Sequence, residues 1–163
     1  MRSRRIVLLG AATLLVAGGV TGCRSAPSPT PPGTPAAVDT TSPLSVLRAW
    51  DRQRAAAYAD GDPDALRALY RPGSDVGDRD VRLLRKYAAR GLRVTGLQAQ
   101  VLAADIRTRR PDRLVLAVTE RVTGAVAVGG GGRVRLPQGM PRDRVVVLVR
   151  RGDRWVVAAV RAP

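Results

Sequence analysis

The chain has no histidine and only one cysteine in its 163 residues. Without imidazole it has no Ser-His-Asp or Cys-His nucleophile system and no histidine-based zinc site. Any acid–base chemistry therefore falls to carboxylates. A single thiol forms no disulfide within the chain, so the fold must be held by its core. Lysine is reduced to Lys86, and every other basic side chain is arginine. Aromatic residues make up 3%, too few to interleave with the scattered arginines as a single-strand nucleic-acid platform requires. No nucleic-acid partner, no metal and no cofactor is expected.

The one cysteine is placed with unusual specificity. Arg2, Arg4 and Arg5 precede a fifteen-residue apolar stretch from Ile6 to Val20, and Val20-Thr21-Gly22-Cys23 follows. A bilayer-spanning helix needs about 20 apolar residues, so the stretch reads as a cleaved export signal. The segment resembles the signal of bacterial lipoproteins. That resemblance implies attachment of diacylglycerol to the Cys23 thiol, removal of residues 1–22, acylation of the new amino group, and residence on the outer side of a cell membrane. Two acyl chains give stable anchoring where one gives only marginal binding. An ordinary secretory signal and an uncleaved anchor are the alternatives. Residues 23–42, with Pro27, Pro29, Pro31, Pro32 and Pro35, are too poor in apolar groups to fold and favour an extended tether.

Residues 43–163 suffice for one domain with its own core. The formal charge of +15 includes the three signal arginines, leaving the mature chain strongly basic. Such a surface attracts anionic lipid or anionic wall polymer. The same arginine, alanine, glycine and valine bias also suits a GC-rich genome, so the charge alone does not name a partner.

Three helices are predicted first. Thr41 or Ser42 caps a helix beginning at Pro43, with Leu44, Leu47, Trp50, Ala57 and Tyr58 at helical spacing and an end near Gly61. Asp62 and Pro63 open a short second helix carrying Leu66, Leu69 and Tyr70, stopped by Pro72-Gly73. The third spans 78–90, with Gly91 as its terminating residue. Strands follow over 92–107, 113–123, 144–151 and 154–161. The last two, Val-rich on both faces, are expected inside the sheet. Gly129 to Gly132 marks a protruding hairpin or a loop. It is no phosphate loop, because Arg133-Val134-Arg135-Leu136-Pro137 follows where a helix N-terminus would be required. Helices succeeded by strands give an α+β class.

Arg48-Ala49-Trp50-Asp51, the run Tyr58 to Asp62 with Leu69-Tyr70 after it, and the closing Gly152 to Val157 resemble the nuclear transport factor two-like superfamily, which includes polyketide-cyclase-like and ketosteroid-isomerase-like domains. The resemblance implies three N-terminal helices packed on a curved antiparallel sheet, cone-shaped, with a pocket between them. Its members include lyases, isomerases, hydrolases and noncatalytic binding modules, and often pair through the outer sheet face. The fold does not choose among these, and a monomer is equally compatible.

Glu120 and Asp51 are the candidate catalytic carboxylates. Strand alternation puts Glu120 on one face with Leu114, Leu116, Val118 and Val122, facing the expected pocket, where burial raises a carboxyl pKa. An arginine partner or a solvent-reaching strand end is the other reading. Trp50, Asp51, Arg54 and Tyr58 share one side of the first helix, with Arg54 placed to enter the pocket or to pair with Asp51 or Glu120. Gln98 and Gln100 share a strand face that is either a cavity lining or an exposed side. Asp105 interrupts the same strand. Trp155 and Tyr87 are pocket candidates and equally core residues. The expectation is a lipid-anchored, extracytoplasmic binding or accessory domain for a small apolar molecule or an envelope protein. The alternatives are a lyase or isomerase using Glu120 or Asp51 with Tyr58 or Arg54, and an envelope module for anionic polymers or lipid.

Overall fold

Ser42 begins the part of the chain that the structure, a computed structural model, describes: residues 42–163. Cys23, the expected signal segment and the expected tether up to residue 41 lie outside it. Helix α1, Pro43–Asp60, starts as the capping residues predict, with Ser42 Oγ accepting from Ser45 N at 3.1 Å and Pro43 in the first turn. It ends at Gly61, whose φ of 68° is the left-handed conformation that glycine adopts without a Cβ penalty. Helix α2, Pro63–Ala68, is a six-residue turn capped by Asp62, which accepts from Asp64 N and Ala65 N at 2.9 Å.

Helix α3, Asp75–Ala88, begins three residues before the expected start and stops two residues before the expected end. Ser74 is its true cap, and Asp75 and Asp78 in the first turn, with Arg85 and Lys86 in the last, complement the helix dipole. The cap lies directly after the Pro72-Gly73 stop, so one turn closes the second helix and opens the third.

The strands in chain order are β1 (Arg93–Thr95), β2 (Gln98–Arg109), β3 (Arg113–Thr123), β4 (Val126–Gly129), β5 (Gly132–Arg135), β6 (Arg142–Arg151) and β7 (Arg154–Arg161). They form two antiparallel sheets, β2-β3-β6-β7 and β1-β4-β5. The expected first long strand is therefore divided. Gly96 (φ 67°) and Gly124 (φ 74°) turn the chain at the same level of the β2–β3 pair. Each backs onto the other, since a Cβ on Gly96 would stand 2.7 Å from the Gly124 oxygen and one on Gly124 would stand 2.6 Å from the Gly96 oxygen. Only glycines pass at that distance, and the sheet splits there. The Gly129 to Gly132 region is the tip of the β4–β5 hairpin.

Strand β6 is internal, as expected, whereas β7 lies at a sheet edge. That corrects the reading of 154–161 as an inside strand. Its apolar character is accounted for by what covers the edge: Arg71 N donates to the Val157 oxygen at 2.9 Å, and Val157 N donates to the Leu69 oxygen at 3.0 Å. The segment leaving α2 thus satisfies backbone groups that an open edge would leave for another chain. The core joins helices to sheet through Leu47, Leu66, Val81, Leu84, Leu116, Leu148 and Val157. Each such leucine contributes about 1.5–3 kcal/mol by leaving water. Among the described residues, no helix is long and apolar enough to cross a membrane.

Candidate functional site

Burial alternates cleanly along β3, with Leu114, Leu116, Val118 and Glu120 all buried. Glu120 is therefore carried to the helix-covered face by the same period that buries its apolar neighbours, and it is 5% exposed. It faces a cavity of about 250 Å³ between α1, α3 and the sheet. Arg144 on β6 also reaches this cavity, and its Nη2 pairs with Glu120. Glu120 thus has an arginine partner and lines the cavity at once, because the partner lines the cavity too.

Helix α1 contributes Trp50, Asp51 and Arg54 to the same cavity. Arg54 pairs with neither Asp51 nor Glu120. It meets Asp80 of α3, Nε donating to Oδ2 at 2.7 Å and Nη2 to Oδ1 at 2.6 Å. Two tyrosine hydroxyls complete the carboxylate, with Tyr58 donating to Oδ1 at 2.8 Å and Tyr70 to Oδ2 at 2.7 Å. Burial pushes the Asp80 pKa up, but the Arg54 hydrogen bonds and charge and the two hydroxyls outweigh it and hold the carboxyl below its ordinary range. Burial and the adjacent Asp80 charge push both tyrosine hydroxyls above theirs. Burial opposes the charge of Arg54, and its bond to Asp80 more than restores it. Asp80 is thus an ionised hub with every oxygen engaged.

Asp51 is in the opposite condition. Its Oδ2 is buried with no hydrogen-bond partner among the described residues, and burial raises its pKa to about 6 against the smaller opposing pulls of Arg54 and Arg144. On the same cavity, Arg144 Nε is also buried and without a partner among the described residues. A carboxyl with a raised pKa and an unmatched guanidinium N–H consequently line one chamber.

The remaining candidates separate. Tyr58 is buried behind the cavity wall and meets the lining through Asp80, to which it donates, and through Arg54, which stacks over its ring at 5.0 Å. Trp50 donates its indole N–H to the Leu69 oxygen at 2.8 Å and meets Tyr70 edge to face at 5.4 Å. Trp155 lines a different groove, which Trp50 also borders. Tyr87 packs against the core and does not line the carboxylate cavity. Gln98, Gln100 and Asp105 are exposed, and Gln100 accepts from Arg121 Nε at 2.8 Å. Among the described residues, no group of three or more metal-ligating side chains assembles.

Sequence reasoning missed Asp80 and Tyr70 as site residues. The signal for Asp80 was present: Gly77, Asp80, Val81 and Leu84 recur at helical spacing and form the buried side of α3. A carboxylate on an apolar stripe demands a buried cation, and Arg54 occupies the matching position on α1. Gly77 permits the approach, since a Cβ there would stand 2.6 Å from Tyr70 Cγ.

No protein-family model matches the chain, and no curated protein matches it. Among solved structures, the intermembrane space region of the chloroplast protein ARC6 is similar over 72% of this chain and 90% of its own, at 10% identity and a TM-score of 0.48. A domain of unknown function with a cystatin-like fold from Nostoc punctiforme is similar over 74% of this chain and 76% of its own, at 15% identity and a TM-score of 0.45. A protein assigned as a dehydratase of the nuclear transport factor two-like family, from Streptomyces avermitilis, is similar over 72% of this chain and 93% of its own, at 15% identity and a TM-score of 0.43. Likenesses this distant leave the chemistry of the site to its own geometry.

Proposed function

We propose that the chain is a lipid-anchored, extracytoplasmic binding domain of the nuclear transport factor two-like kind, tethered through Cys23, which holds a small polar ligand without transforming it. The observation that carries this reading is the pair Asp51 Oδ2 and Arg144 Nε, a buried acceptor and a buried donor without partners among the described residues, on one cavity of about 250 Å³. A ligand presenting a donor beside an acceptor satisfies both and recovers the roughly 1–3 kcal/mol that each unmatched buried group costs. The unmatched acceptor and donor favour such a molecule over the small apolar one expected from the sequence.

One observation favours catalysis instead. A carboxyl titrating at about 6 is suited to general-base work near neutral pH, which keeps a lyase or isomerase with Asp51 as base as the second reading. Binding is preferred because the other groups that such a mechanism would draw on are engaged. Arg54 and Tyr58 are held by Asp80, and Glu120 is held by Arg144.

Native mass spectrometry of the full-length chain and of its Asp51→Asn variant tests the proposal. A small polar molecule retained by the parent and lost by the variant supports binding at this cavity, and its recovery unchanged supports the noncatalytic role. Recovery of a converted product shifts the assignment to catalysis. Equal retention by both proteins refutes the site.

A further inference from the structure

A second depression, of about 650 Å³, lies on the other side of Trp50 from the carboxylate cavity. This is well within the roughly 300–1,000 Å³ of small-molecule sites. Its floor is apolar, made by Val46, Ala49 and Trp50 of α1 with Leu69, Leu114 and Trp155. Its rim is cationic. Arg109 and Arg110 come from the β2–β3 turn, and Arg150 and Arg154 come from the β6–β7 hairpin, with Asp153 as the one acid in the lining. Among the described residues, none of these four guanidinium groups is in an ion pair. Arg150 N donates to the Asp112 oxygen at 2.9 Å, so the two turns are tied and the four arginines are presented by one connected rim.

We propose that this groove takes the acyl chain of a single anionic membrane lipid, with the headgroup phosphate held by Arg109, Arg110, Arg150 and Arg154. Charge complementarity selects the anion, since arginine forks match phosphate oxygens in pairs and four cations face one carboxylate. The apolar floor selects the chain. The two tryptophans of that floor offer large flat apolar surfaces for an acyl chain to pack against. An acidic peptide would satisfy the rim and leave the floor unused. This site involves neither Asp51 nor Arg144 and does not depend on the ligand proposed for the other cavity.

Trp50 and Trp155 are the two tryptophans of the chain, so their fluorescence reports directly on the groove. The full-length chain is titrated with lysophosphatidylglycerol carrying a brominated acyl chain, kept below its micelle concentration, and with the same chain on a phosphocholine headgroup. The expected result is saturable quenching by the anionic probe, with affinity at least about tenfold weaker for phosphocholine and for the Arg150→Gln/Arg154→Gln double variant. Both arginines are exposed, so the far-UV circular dichroism of the variant should match the parent. Ala49→Leu, which fills the floor, should weaken both probes, while Asp51→Asn should weaken neither. Equal affinity for the two headgroups, indifference to the arginine substitutions, or an absence of saturable quenching overturns the assignment. Displacement of the probe by polyglutamate from a site with no headgroup preference would likewise transfer the groove to a protein partner.

Discussion

Arg54 closes a two-pronged grip on Asp80, Nε to Oδ2 at 2.7 Å and Nη2 to Oδ1 at 2.6 Å, across 26 residues of sequence. The pair joins the first and third helices beneath the cavity, and Tyr58 and Tyr70 fill the remaining acceptor capacity of the carboxylate. Such a fully satisfied network stiffens the wall that carries Asp51.

Asp80→Ala should cost about 3–5 kcal/mol, because it leaves Arg54 and two hydroxyls without their acceptor in the interior. Urea unfolding should show a lower midpoint at unchanged slope. The double replacement Arg54→Met with Asp80→Leu should cost less than Asp80→Ala alone, since it leaves no orphaned charge. The reverse order would mean that the grip contributes more than its parts cost to bury.

Asp51 and Asp80 should leave opposite marks on stability against pH. The folded pKa of Asp80 lies below the ordinary 3.8, so its contribution is present above that value and is lost as pH falls through the folded one. The folded pKa of Asp51 is raised to about 6, so the folded state binds the extra proton between 3.8 and 6 and stability declines as pH rises through that window. Asp51→Asn should remove the decline and raise stability at pH 7 by on the order of 1–3 kcal/mol. A variant that keeps the parent's slope between about pH 4 and 6 would assign the titration to another group.

Gly96→Ala and Gly124→Ala should each destabilise by about 1–3 kcal/mol, combining a left-handed backbone with a contact of under 3 Å to the facing carbonyl. The two effects should be strongly non-additive, because either substitution forces the same two turns apart. Thermal melts of the single and double variants test this, and strict additivity would refute the reciprocal packing.

Cys23→Ser should abolish incorporation of a lipid label and release the domain from the membrane fraction, with circular dichroism of the folded part unchanged. A variant that stays membrane-bound without label would show that residues 1–22 are an uncleaved anchor.

The helices were legible wherever a cap, a proline and a glycine stood at the right distances, as at Ser42, Pro43 and Gly61. The third was misplaced because Ser74 follows a proline–glycine pair that reads equally as loop. The buried face of β3, including Glu120, was legible because alternation is a period-two property of the strand itself. The division of the sheet was not, since a single glycine in a strand shows neither its φ nor the second glycine opposite it. Tyr87 and Trp155 illustrate the same gap, as an aromatic on a buried face carries no mark of which cavity it borders.

Helices before strands, the caps of α1 and α2, the inward face of β3 and the lack of histidine that leaves acid–base chemistry to carboxylates are all readable from the amino acids. Those are local properties, written in period and composition. The tertiary structure alone decided that Arg54 belongs to Asp80 and Arg144 to Glu120, and that Asp51 is left buried with an unmatched oxygen. With arginine supplying every basic residue but Lys86, many pairings satisfy charge. Only the packing distance between two helices and a sheet selects one, because a buried ion pair survives desolvation only where its geometry is met.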